Sequence, residues 1–172
     1  MPTTFQTAIN VVQAPGIAGD FASADPHFSF VTSGGILVAD TAGVTIGCFA
    51  WVNAAQTKAA STGTGAPSGF VHREMQATIN AFPAEFGMTI PAGQRVGSIM
   101  SGGCYYAKNA GAGVAALGMK AFANTTNGSV SFAAAGATVA GSVETKWFCV
   151  GWTEGGSGAA GELVKISHLP IG

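Results

Sequence analysis

Turn-forming residues interrupt this chain about every ten residues, and the runs between them are short, apolar and strand-friendly. Gly accounts for 26 of 172 residues, and Ala, Thr, Val and Phe fill much of the rest. That punctuation predicts a mostly-β chain. A coiled coil or long helical bundle would need many more Glu, Lys, Arg and Leu residues. The length supports one substantial core, and no composition shift or fixed-period repeat marks a boundary, so a single domain is expected.

The expected strands follow from alternation. Val44 to Val52 places Val44, Ile46, Cys48 and Ala50 on one face, with Phe49 and Trp51 on the other. Lys146 to Trp152 is apolar on both faces, as in a buried sheet. Leu163 to Ser167 alternates. Phe28 to Thr32 and Ile36 to Ala39 flank Ser33-Gly34-Gly35, which predicts a hairpin. Thr126 to Ser129 predicts a second one, with Lys120 to Ala123 and Val130 to Ala133 as arms. There, Asn127-Gly128 would supply the positive φ of a type I′ turn. Pro91-Ala92-Gly93 reads as a turn between the apolar ends of Met88 to Met100. Phe70 to Phe82 fits a strand better than a helix, and Pro83 ends it either way. Ala54 to Gly69 and Gly155 to Gly161 read as exposed loops. Ala133 to Val143 is either a packed interface strand or a loop.

Charge narrows the function. Seven Lys and Arg stand against eight Asp and Glu, a net charge of −1 and only 9% charged residues. Dispersed cations this few cannot neutralise a run of phosphates, which excludes nucleic-acid binding, and no polybasic membrane anchor is present. Hydrophobic residues make up 48% of the chain, which argues against disorder. No apolar run reaches the roughly 18 residues of a membrane span. Met1 to Asn10 has neither a basic nor an apolar secretory signature, so synthesis and folding in the cytosol are expected. A surface this poor in charge suits a subunit buried against partners. An obligate oligomer or a component of a larger assembly is the expectation.

Catalytic signatures are not apparent. Gly156-Ser157-Gly158 lacks the spacing of a nucleophile elbow. Gly63-Thr64-Gly65 and Gly111-Ala112-Gly113 are only fragments of phosphate loops. His27 lies two residues from Asp25 and His72 two from Glu74, while His168 stands alone; each reads better as a surface hydrogen-bonding group than as a metal ligand. Cys48, Cys104 and Cys149 are widely spaced and read as small buried hydrophobes. Trp51, Trp147 and Trp152 read as core. No catalytic, cofactor-binding or metal-binding residue is nominated, and an enzyme is not expected.

Five segments taken in order resemble the structural cement, or head decoration, proteins of tailed bacteriophages. They are Phe5 to Pro26 (FQTAINVVQAPGIAGDFASADP), Gly34 to Val52, Gly63 to Glu74 (GTGAPSGFVHRE), Met88 to Val96, and Leu117 to Phe132. The resemblance implies a single jelly-roll-like or barrel-like β-sandwich with long Gly/Ala-rich loops, residues 21–172, carrying an extended N-terminal arm, residues 1–20. It implies a homodimer or homotrimer on the outer surface of the expanded capsid, bridging subunits of the major capsid protein, with no cofactor. Multivalent attachment makes modest contacts strong together, and binding one lattice state stabilises that state.

Three regions are candidate capsid or oligomer interfaces. The arm offers Phe5, Ile9, Val11 and Val12, suited to strand addition. The second region offers Phe70, His72, Arg73 and Glu74, with Arg73 and Glu74 as an oppositely charged pair. The loop from Ala54 to Gly69 is the third. Each competes with a plain reading as core strand or solvated loop. The main alternative is a carbohydrate- or receptor-binding module of a phage tail or fibre, which requires exposed aromatics such as Tyr105, Tyr106 or Trp152. A small hydrolase using His72 or Cys104 is the remaining alternative.

Overall fold

A computed structural model describes residues 15–74 and 87–169. Among these residues the chain forms thirteen strands and no helix. One sheet has six short strands in the order β1 (Phe28–Ser29), β8 (Ile99–Gly102), β6 (Gly69–Val71), β4 (Phe49–Val52), β5 (Lys58–Ala60) and β2 (Val38–Ala39). The other has five longer strands in the order β11 (Val130–Ala133), β10 (Lys120–Asn124), β12 (Ser142–Trp152), β13 (Leu163–Ser167) and β9 (Cys104–Lys108). A two-stranded ribbon, β3 (Val44–Thr45) with β7 (Thr89–Ile90), completes the set. The strand order of neither large sheet closes on itself, so the architecture is a β-sandwich and not a closed barrel.

The core lies between the two large sheets. Phe49, Trp51, Phe70 and Met100 from one sheet meet Tyr105, Ala107, Ala121, Val130, Trp147 and Ile166 from the other. Aromatic pairs tie the layers, with Phe49 edge-to-face on Trp147 at 6.3 Å and Phe70 against Tyr105 at 5.6 Å between ring centroids. The outer face of the six-stranded sheet is also buried: Ala50, Ala59, Val71 and Ile99 pack with Val44 of β3 and with Ile90 of β7. That double burial explains why β4 and β6 are apolar on both faces. A smaller cluster of Ala115, Cys149 and Val164 backs the five-stranded sheet.

The hairpin expected around Thr126 to Ser129 forms, with Lys120 opposite Ala133 and Ala123 opposite Val130. Its turn differs from type I′. Gly128 has φ 72, and Gln56 is the one non-Gly residue with positive φ among the described residues, so Asn127 keeps a negative φ. Gly128 N–H donates to the Asn124 carbonyl at 2.8 Å, and Asn124 N–H to the Ser129 carbonyl at 2.9 Å. The loop is therefore wider than two residues, and only its last position needs glycine.

The first expected hairpin does not form. Phe28 and Ser29 pair with β8, whereas Val38 and Ala39 pair in parallel with β5, at the opposite edge of the sheet. The expected strand from Val44 to Val52 is broken at Ile46-Gly47-Cys48 into β3 and β4. The strand expected from Phe70 stops at Val71, with residues 72–74 irregular and 75–82 outside the described residues. The stretch from Ala54 to Gly69 is not a free excursion. It contributes β5, with Ala59 buried, while Ser61 Oγ accepts from Thr45 N–H and Ser68 Oγ from Val52 N–H. Gly155 to Gly161 is a loop, and Glu162 organises it by accepting from the backbone N–H of Ser157 and Ala159.

Candidate functional site: the clasp at the arm base

The expected arm meets the body through residues 15–22, here called the strap. The strap lies antiparallel along β9, at the outer edge of the five-stranded sheet. Gly19 N–H donates to the Tyr106 carbonyl at 2.7 Å, Tyr106 N–H to Asp20 at 2.9 Å, and Ala22 N–H to Cys104 at 3.0 Å. Phe21 sits opposite Tyr105 as an isolated bridge. An exposed strand edge is an association liability, and the strap covers this one.

Residues 72–73 clamp the strap from the other sheet. Arg73 N–H donates to the Gly19 carbonyl at 2.9 Å, and His72 Nδ1 lies 2.7 Å from the same oxygen. Nδ1 is therefore the protonated nitrogen, because a carbonyl can only accept. Arg73 holds Asp20 in a two-pronged contact, with Nε to Oδ1 at 2.6 Å and Nη2 to Oδ2 at 3.3 Å. Their side chains are only 31% and 23% exposed, so screening by water is partial. Burial pushes the Asp20 carboxyl up, but hydrogen bonds from Arg73 and from Ile17 N–H outweigh it. The net shift is below the ordinary value of 3.8.

Aromatic rings gather beside the clasp, with Phe21 still partly open to solvent. Phe21 packs on His72 at 4.1 Å, on His27 at 4.7 Å and on Tyr105 at 5.2 Å. Tyr105 continues into the core through Phe70 and Trp147. Farther along the strap, Ala18 lies against Gly47, where a Cβ would come within 2.7 Å of the Ala18 methyl. Gly47 also has φ 75, so both space and backbone demand glycine there.

The structure thus brings two predicted regions together and separates their members. His72 and Arg73 build the clasp. Phe70 lies beneath it, fully buried in the core, and presents no surface to a partner. Glu74 is not the ion-pair partner of Arg73. Asp20 takes that place, and Glu74 lines a surface cavity with Ile46, Arg95 and Ser98. Phe5, Ile9, Val11 and Val12 lie outside the described residues. Sequence reasoning missed Asp20 and Phe21. The available signal was that Asp20 is the first charged side chain in the chain, and shares residues 1–39 only with Asp25.

A glycan platform finds little material here. Tyr105 is fully buried, Tyr106 is 6% exposed, and Trp152 packs against the Ala115 cluster. Among the described residues, no three His, Cys, Asp or Glu side chains cluster as metal ligands, and no helix is long and apolar enough to cross a membrane. The three thiols are free. Cys104 and Cys149 are buried, and Cys48 is half-buried, less enclosed than expected. Burial pushes the Cys48 thiol up to about 11 and raises the other two. All three are therefore held as thiols at neutral pH.

Comparison with known proteins adds to this geometry. The family described as XM1 gp53 minor capsid protein has a model that matches residues 5–168. Among solved structures, a chain from "The capsid of Myoviridae Phage XM1" is similar, with a TM-score of 0.65 at 14% identity. The alignment covers 96% of this chain and 97% of that one. Identity that low establishes a common fold. No curated protein matches the sequence.

Proposed function

The chain belongs to the XM1 gp53 minor capsid protein family, and on that premise we propose that it decorates the outer surface of an expanded phage capsid. Membership makes it a structural protein of the virion, associated with capsid proteins. In the proposed role it binds as a small homo-oligomer and bridges neighbouring subunits of the major capsid protein, without catalysis and without a cofactor. Residues 1–14, with Phe5, Ile9, Val11 and Val12, supply assembly contacts. Residues 15–22 are the anchor that carries those contacts back to the sandwich.

The observation that carries this reading is the clasp. Asp20, Arg73, His72 and Phe21 spend an ion pair, hydrogen bonds and ring packing on fastening one short segment. Such fastening makes sense where an arm must transmit load between the body and a partner. A cement also needs surfaces that can approach other proteins without stranding unpaired charge, and a chain with 9% charged residues offers them.

The test is co-sedimentation of the purified protein with capsids in the compact and the expanded state. Saturable pelleting with expanded capsids alone, at fixed stoichiometry, is expected. Pelleting with neither state overturns the decoration role and brings the tail or fibre alternative forward. Equal pelleting with both states overturns selectivity for the mature lattice.

A further inference from the structure

The edge that the strap leaves bare is β1. It pairs with β8 on one side and has no strand on the other among the described residues. Phe28 is 54% exposed, Val31 83% and Ile36 58%, three large exposed hydrophobics on β1 and the stretch that runs on from it, here called the rim. From Pro26 to Ala39 the chain carries no Asp, Glu, Lys or Arg. The rim is held in shape. Thr32 Oγ1 donates to the Gly35 carbonyl at 2.9 Å, and Ser33 N–H donates to Gln56 Oε1 at 2.7 Å. An uncharged, preformed sheet edge of this kind accepts an added strand.

The arm has matching chemistry. Residues 1–19 contain no Asp, Glu, Lys or Arg. On an extended chain Phe5, Thr7, Ile9 and Val11 fall on one side, and Gln6, Ala8 and Asn10 on the other, an alternation that runs from Phe5 to Val11 and ends at Val12. That is the alternation of a half-buried strand. Joining arm to rim leaves no charge unpaired on either surface.

The strap decides whose rim the arm meets. Phe21 contacts His27 beside β1, Gly19 is held by Arg73 beyond β6, and Ala18 lies against Gly47 between β3 and β4. Traced toward the N-terminus, the strap crosses the end of the six-stranded sheet and moves away from its own β1. We propose that residues 1–14 of one copy add to the β1 rim of a second copy, at Phe28, Val31 and Ile36, and so build the oligomer. This rests on the decoration reading only in naming the oligomer that reading requires. It also explains how loss of the arm would weaken capsid binding, since a monomer forfeits multivalent attachment.

Complementation tests this by sedimentation. The full chain is expected to run as an oligomer. A chain lacking residues 1–12 and a Val31→Asp, Ile36→Asp double variant should each run as folded monomers, their self-association weakened at least about tenfold. Mixed, they should form a 1:1 complex, because one retains the rim and the other the arm. A monomeric full chain, self-association retained by either variant, or a mixture that stays monomeric each overturns the proposal. So does rim amide protection in a monomeric full chain that disappears with the arm, because the arm then folds onto its own copy. Capsid pelleting by the full chain without complementation sinks this proposal and keeps the decoration role. Complementation without pelleting does the reverse.

Discussion

Two sheet edges flank the hinge between β8 and β9, and they are treated in opposite ways. The β9 edge is sealed by the strap with backbone hydrogen bonds, an ion pair and stacked rings. The β1 edge, reached across Gly103, is two residues long and exposed. Sealing uses polar specificity, with Arg73, Asp20 and His72 each aimed at one partner. The open edge uses none, and offers Phe28, Val31 and Ile36 without a charge nearby. Specific polar contacts fix a segment that must stay in place. Uncharged apolar surface is what a contact formed on assembly requires.

The largest expected effect removes the floor shared by both edges. Tyr105 is fully buried against Phe21, Phe70 and Trp147. Tyr105→Ala should cost about 3–5 kcal/mol, read as a lowered denaturation midpoint, and should loosen both edges together. Next, Arg73→Ala should cost about 1–2 kcal/mol, because Asp20 keeps its partial burial and loses its partner. Hydrogen exchange should show the loss at Gly19 and Tyr106 and leave β10 and β11 protected. An equal loss across both sheets would contradict a local clasp.

A smaller effect comes from acid. The folded pKa of Asp20 lies below its ordinary 3.8, so its stabilising contribution is complete above that value and is lost as pH falls through the folded value. The thermal midpoint should therefore drop below about pH 4 more steeply in the native chain than in an Asp20→Asn variant. The smallest change is at the rim. Val31→Thr should move stability by less than about 0.5 kcal/mol, because the side chain is 83% exposed. A larger loss in the isolated monomer would mean that Val31 packs within its own copy.

The same contrast decides how much was legible in the sequence. The β10–β11 hairpin and β13 were readable because their pairing is local or their alternation regular. The six-stranded sheet was not. Its strands are two to four residues long and pair across large sequence distances, so Gly34-Gly35 looks like a hairpin turn while its flanks travel to opposite edges. At the clasp, the charge of His72-Arg73-Glu74 in an apolar stretch pointed outward to a partner, whereas His72 and Arg73 are used within the chain to hold the strap. The neighbouring Glu74 then looked like the partner of Arg73, whereas the true partner, Asp20, is 53 residues away. Phe70 was misjudged because periodicity cannot tell a strand buried on both faces from one with a free face.

The antiparallel lie of the strap on β9 also has a mechanical consequence. A pull directed along the strap drags it lengthwise past β9. The hydrogen bonds from Gly19, Tyr106 and Ala22 then bear the tension together in shear, with the Arg73–Asp20 pair bracing the same few residues. A segment pulled perpendicular to the edge would instead peel off one bond at a time. The geometry makes this join strongest against a load directed along the strap and weakest against one that lifts it off β9.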